Sequence, residues 1–154
     1  MALTKIVSGG QTGADRAGLA AGKALGLETG GWLPRGCWTE DGPMPSLVTE
    51  YGMKEHPSSG YPPRTKANVE DSDGTVLFGN MGSPGYSLTI RLCLQLNRVY
   101  FPNPTPAQLD QFVTENEIQI LNVAGNREST NPGIYQRTYD TLMATLADKA
   151  ALCT

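Results

Sequence analysis

The sequence predicts an α/β fold, a mainly parallel sheet covered by helices on both sides, and two observations predict it. Short β-rich runs alternate with helical patterns along the chain, an arrangement that needs crossover connections and hence parallel strands. The 18 glycines and 11 prolines are too many for a helical bundle and sit mostly between the periodic segments, which implies many loops on a compact scaffold. At 154 residues the chain suits one domain, 1–154, with a sizeable core.

The first strand, Lys5 to Ser8, runs into Gly9-Gly10-Gln11-Thr12-Gly13 and then an alanine-rich helix from Asp15 to Leu25. Clustered glycines let backbone N–H groups approach a ligand, and the helix that follows points its positive end at the same spot. The spacing at 9, 10 and 13 is not G-x-G-x-x-G, and no Gly-Lys-Ser/Thr follows. A second strand is expected at Gly31 to Leu33, a helix at Thr65 to Asp71 and a third strand at Thr75 to Gly79. The helix from Gly85 to Asn97 carries Leu88, Leu92 and Leu96 four apart, and strand four follows at Arg98 to Phe101. Thr105-Pro106 opens the next helix, with Gln108 completing a capping box and Leu109, Phe112 and Val113 forming the buried stripe. Strand five is Ile118 to Val123, and the last helix, Pro132 to Ala150, has Tyr135, Tyr139, Leu142, Met143, Leu146 and Ala150 on one face. There is no internal repeat.

A net charge of −3 and a pI near 5.1 argue against nucleic acid as a partner, while a small anion needs only a few aimed N–H groups. Cys37, Cys93 and Cys153 form neither a disulfide framework nor a metal pattern, which fits a reducing cytoplasm. No charged leader precedes an apolar stretch and no run approaches membrane-spanning length, so no membrane partner is expected.

In such sheets ligands lie beyond the carboxyl ends of the strands, and three loops there are equipped. In the first, Thr12 can cap and Asp15 can answer the free N–H groups of the first turn, so a phosphate would face a like charge. That loop suits a neutral, donor-rich part of a ligand, with Asp15 or Gln11 accepting. In the second, Ser83 caps, Pro84 takes the first turn and no carboxylate follows, leaving an end open to an anion. Ser83, Ser87 and Thr89 add hydroxyls there, and Gly85 permits close approach. The third runs from Gly125 to Asn131, the expected cap of the last helix. Arg127 offers a bidentate fork or, with Glu128, an ordinary solvated pair.

Pro34 to Pro63 is long, irregular and rich in Gly and Pro, as lids and binding loops are. It holds Arg35, Thr39, Glu40, Asp41, Lys54, Glu55 and His56, with Arg64 just beyond. His56, before Pro57, reads as a surface residue rather than a base, and Cys37 as a reduced thiol. Trp32, Trp38, Tyr51 and Tyr61 could stack on a heterocycle; half-buried packing is the commoner use.

Several stretches, taken in order, resemble the putative molybdenum carrier family. They are Ser8-Gly9-Gly10-Gln11-Thr12-Gly13-Ala14-Asp15-Arg16-Ala17, Pro34-Arg35-Gly36 with Glu40-Asp41-Gly42, and Arg64-Thr65 with Asn68-Val69. Asp71-Ser72-Asp73-Gly74-Thr75 and Leu121-Asn122-Val123-Ala124-Gly125 with Arg127-Glu128-Ser129 complete the set. The resemblance implies a single doubly wound, Rossmann-like domain, related distantly to lysine-decarboxylase-like proteins and the cytokinin-activating phosphoribohydrolases. It further implies binding and protective carriage of molybdenum cofactor, a phosphorylated pterin dithiolene with molybdenum, delivery to molybdoenzymes, and assembly as a homo-oligomer, a tetramer by resemblance. Carried over by position, the ligand contacts would be Gly9 to Asp15, Arg35, Ser83 to Thr89 and Gly125 to Ser129.

Two departures stand out. The Pro-Gly-Gly-x-Gly-Thr-x-x-Glu motif of the phosphoribohydrolases has as its nearest stretch Ser83-Pro84-Gly85-Tyr86-Ser87-Leu88-Thr89-Ile90-Arg91, which lacks two glycines and ends in Arg91 instead of a carboxylate. Cys37 and Trp38 precede Glu40-Asp41 where basic or small residues are expected. A carrier needs no catalytic residue. The alternatives are an enzyme acting on a nucleotide-like phosphate, with Glu40, Asp41 or Asp73 as acid or base, and a small-nucleotide sensor.

Overall fold

The computed structural model describes residues 3–151, with side chains to residue 146. Cys153 and the Ala150 side chain lie outside the described residues. The elements in chain order are β1 (Lys5–Ser8), α1 (Ala14–Ala24), β2 (Glu28–Gly30), β3 (Trp32–Leu33), β4 (Trp38–Thr39), β5 (Gly42–Pro43), α2 (Ser46–Tyr51) and β6 (Lys54–Glu55). They continue with α3 (Tyr61–Glu70), β7 (Gly74–Phe78), α4 (Pro84–Gln95), β8 (Val99–Pro102), α5 (Pro106–Glu115), β9 (Ile120–Gly125) and α6 (Ile134–Ala151).

A five-stranded sheet has the order β2-β1-β9-β7-β8, with every pair parallel. β9 lies at the centre, with Asn122 opposite Val7 on one side and Thr75 on the other. The β1-to-β2 and β7-to-β8 crossovers run outward in opposite directions, and right-handed connections therefore place α1 and α4 on opposite faces. The packing agrees, since α1 contacts α6 and α6 contacts α5, while α3 contacts α4. The fold is thus doubly wound and Rossmann-like. Read from β7 through β9 and on to β1 and β2, the order becomes 2-1-3-4-5, a common doubly wound order whose chain ends have been moved.

One face of the sheet contributes Ile6, Val76, Leu121 and Val123 to a core closed by Leu109, Phe112 and Val113 of α5 and by Leu142 and Leu146 of α6. Burying each such aliphatic side chain contributes roughly 1.5–3 kcal/mol. On the other face Val69 of α3 meets Leu92 and Cys93 of α4. β7 is buried at every position, as a strand covered on both sides must be.

The second sheet strand is Glu28–Gly30, not Gly31 to Leu33. At Gly31 the chain takes a φ of 125°, where a Cβ would stand 2.0 Å from the Ser8 carbonyl oxygen, so only glycine turns there. Trp32 and Leu33 are indeed extended, but they pair with Lys54 and Glu55 in a separate ribbon. The long segment is also more ordered than its composition suggests, holding the β4–β5 hairpin, α2 and β6 around a small core of Leu19, Leu33, Cys37, Leu47 and Met53. The Thr105–Gln108 capping box forms as expected. Among the described residues no helix is long and apolar enough to cross a membrane.

Candidate functional site

The loops after β1, β7 and β9 meet at the carboxyl rim of the sheet, and Asn126 joins them. Its main-chain oxygen accepts from Ala14 N–H (3.1 Å), its Oδ1 accepts from Asn80 N–H (2.6 Å), and its Nδ2 donates to Ser83 Oγ (2.8 Å). Gly13 permits this closeness, because a Cβ there would lie 2.4 Å from the Asn126 oxygen.

Between these loops and α3 lies a cavity of about 400 Å³, within the range of small-molecule sites. Gly9, Gln11 and Asp15 line it from the first loop and helix, Ser83, Gly85 and Thr89 from α4, and Gly125 and Arg127 from the third loop. α3 adds Tyr61, Arg64, Thr65 and Asn68, and β9 adds Asn122.

Arg64 dominates the electrostatics. Only 9% exposed, it crosses the first loop where a Cβ on Gly9 would stand 1.4 Å from its Nη1, so Gly9 is the opening through which the guanidinium passes. Arg64 lies over the Tyr61 ring at 5.2 Å and Arg127 over the same ring at 4.9 Å, so two cations flank one aromatic at the cavity. Burial depresses the Arg64 pKa, opposed by the facing Asp15. The Asp15–Arg64 pair is 3.8 Å apart, too long for a hydrogen bond, and it does not offset the burial of the acid. Burial pushes Asp15 up to about 6, even with Arg64, the Gln11 N–H, Arg127 and Arg16 pulling the other way.

Two buried polar atoms on the lining residues have no partner: Gln11 Oε1 and Arg64 Nε. Gln11 is 3% exposed, and its amide nitrogen is already committed to the Trp38 carbonyl at 3.1 Å and the Gly9 carbonyl at 3.4 Å. Native interiors rarely leave such atoms unsatisfied, and a ligand group is one way to satisfy them.

Unlike Thr105, the three caps expected at the rim do not cap their helices. Ser83 stands at the α4 N-cap but makes no capping bond, because its hydroxyl accepts from Asn126. With Pro84 next, the N–H groups of Gly85 and Tyr86 at the cavity are left without a side-chain cap. At α1 the N-cap is Gly13, and Thr12 instead donates to Glu40 Oε1. Asn131 does not cap a helix at Pro132; α6 begins at Ile134, where the Glu128 carboxylate accepts from the Gly133 (2.7 Å) and Tyr135 (2.9 Å) N–H groups.

The remaining nominated residues lie away from the cavity. Gly10 faces Leu33 and Met53, Arg35 and Ser87 are exposed, and Thr12 and Ser129 both donate to Glu40, which straps the first and third loops together. Those two hydroxyls hold the Glu40 carboxyl below its usual range. Asp41 pairs with Arg16 at 3.7 Å, and Asp73 accepts from Gln119 and Ile120 N–H at the opposite end of the sheet. None of the three carboxylates named as acid or base lines the cavity. His56 packs edge-on against Trp32, and Cys37 is buried in the small core with its thiol pushed up by burial. Arg64, Asn68 and Asn122 line the cavity without having been expected as ligand contacts, whereas Tyr61 was offered for stacking and Asn126 falls within the expected range Gly125 to Ser129. Arg64 and Asn68 stand one helical turn apart on α3, a signal the sequence did contain.

The rearranged strand order has a counterpart among known proteins. Residues 6–146 match the family model cpYpsA, described as the circularly permutated YpsA SLOG family. A crystal structure of a putative molybdenum carrier protein from Syntrophus aciditrophicus SB superposes with a TM-score of 0.86 at 37% identity, covering 95% of this chain and 96% of that one. No curated protein matches the sequence. By its family match, and in keeping with its order of strands, the chain belongs to the circularly permutated YpsA SLOG family.

Proposed function

We propose that this protein binds and shields molybdenum cofactor, holding the terminal phosphate at the α4 N-terminus and the pterin over the first loop. The observation that carries the proposal is the pairing of one open helix end with two unpartnered buried atoms, Gln11 Oε1 and Arg64 Nε, around one cavity of suitable size. The phosphate would take the Gly85 and Tyr86 N–H groups and the nearby Arg127 fork. Asp15 and Gln11 would accept from the ring. The 37% identity to a putative molybdenum carrier protein supports the same ligand class. Carriage requires burial rather than turnover, since exclusion of water and oxygen protects a dithiolene. In the anaerobic test the purified chain is mixed with molybdopterin, separated by gel filtration and exposed to air. Retention of the pterin and slowed oxidation are expected; loss on the column together with oxidation at the free rate would end the proposal.

One observation favours a second reading. Asp15, raised to about 6 inside the cavity, has the protonation poise of a general acid or base. Release of free base from purine monophosphates would establish that reading, and its absence would remove it.

A further inference from the structure

Three residues of the cavity lining carry unlike polar groups: Arg64, whose buried Nε has no partner, Asp15, which carries a carboxyl group, and Gln11, whose buried Oε1 has no partner. Asp15 is in contact with both neighbours, for its Oδ2 accepts the Gln11 N–H at 3.2 Å and lies 3.8 Å from Arg64 Nη1. Gln11 is 3% exposed and Arg64 9%, so neither free atom can turn to bulk water. Nor can Gln11 flip its amide without surrendering the Trp38 carbonyl.

A ring that satisfies the cluster must offer the complementary edge: an oxo oxygen for the Arg64 N–H, a ring N–H for the carboxylate, and an amino group for the Gln11 oxygen. That acceptor–donor–donor edge belongs to the amino-oxo-pyrimidine ring shared by guanine and pterins. Hypoxanthine has the first two groups and lacks the amino group. Adenine reverses the first two, setting an amino group against Arg64 and a bare ring nitrogen against the carboxylate. We infer that Arg64, Asp15 and Gln11 form a reader of the amino-oxo-pyrimidine edge, making the site selective for guanine- or pterin-like ligands over adenine-like ones. This rests on the reading of the cavity as a heterocycle site and goes further by fixing which heterocycle.

Guanosine, inosine and adenosine monophosphates share sugar and phosphate and differ at this edge. Titrated calorimetrically into the purified chain, guanosine monophosphate is expected to bind tightest. Inosine monophosphate should be weaker by about 10-fold and adenosine monophosphate by about 100-fold, the scale of one lost hydrogen bond and of a buried mismatch. Gln11→Leu should erase the guanosine–inosine gap, with thermal melting and circular dichroism alongside to report that the variant is folded. Equal binding of the three nucleotides, a preference for adenosine, or a gap that survives Gln11→Leu would overturn the inference while leaving the phosphate placement standing. The ordered series together with failed molybdopterin retention would uphold the reader and overturn the carrier. Binding of none of the three at millimolar concentration would overturn the reader as well.

Discussion

Gly85→Asp separates the site from the fold. A Cβ at Gly85 meets nothing within 4 Å, so the substitution fits without displacing a neighbour. Replacing a helical glycine contributes about 0.5–1 kcal/mol, and a carboxylate in the first turn of α4 adds about 0.3–1 kcal/mol with the helix dipole. Thermal stability is therefore expected to hold or rise. Binding should go the other way, because that carboxylate would stand roughly 5 Å from a phosphate held by the same turn. At an effective dielectric near 20 the repulsion is about 3 kcal/mol per unit charge, a loss of roughly 100-fold or more. Gly85→Asn has nearly the same shape without the charge and should cost under about 10-fold. Ser83 is the poorer position, since changing it would break the bond from Asn126. The assay is calorimetric titration with guanosine monophosphate beside thermal melting. Affinity of the Asp variant within about threefold of the Asn variant would refute the placement of the anion.

Other expectations follow from the same contacts. Gly9→Ala would set a methyl group 1.4 Å from Arg64 Nη1, so the guanidinium must leave the loop and nucleotide affinity should fall at least about 10-fold by calorimetry. The Asp15 pKa of about 6 lies above its unfolded value of 3.8, so its contribution to stability is complete below about 3.8 and lost as pH rises through 6. Asp15→Asn should flatten that slope, read by denaturant unfolding at several pH values; a pH dependence as steep as the parent's would contradict it. Glu40→Ala removes the strap to Thr12 and Ser129 and should cost under about 1 kcal/mol, while limited proteolysis between residues 34 and 45 speeds up. Buried Cys37 and Cys93 should react with a thiol reagent only on unfolding, and rapid native labelling would contradict their packing.

Much of the sheet was legible because four of its strands are apolar runs between turn signals. β2 was not, since Glu28-Thr29-Gly30 is short, polar and at the edge, whereas neighbouring Trp32-Leu33 has the stronger β composition and pairs outside the sheet. The capping box at Thr105 closes over three residues and could be read locally. Thr12 and Ser83 could not, because their partners lie 28 and 43 residues away. The rim of three loops followed from strand–helix alternation, and the open end of α4 from its missing carboxylate. Arg64 stayed hidden: its role depends on α3 lying over Gly9, a tertiary approach that only the absence of a Cβ allows.

An anaerobic crystal structure of the chain with molybdopterin would test the central claim most directly. The phosphate is expected within hydrogen-bond distance of the Gly85 and Tyr86 N–H groups, and the pyrimidine edge on Arg64, Asp15 and Gln11. A pterin seated elsewhere, as on the exposed loop around Arg35, with Gln11 Oε1 and Arg64 Nε still unpartnered, would contradict it.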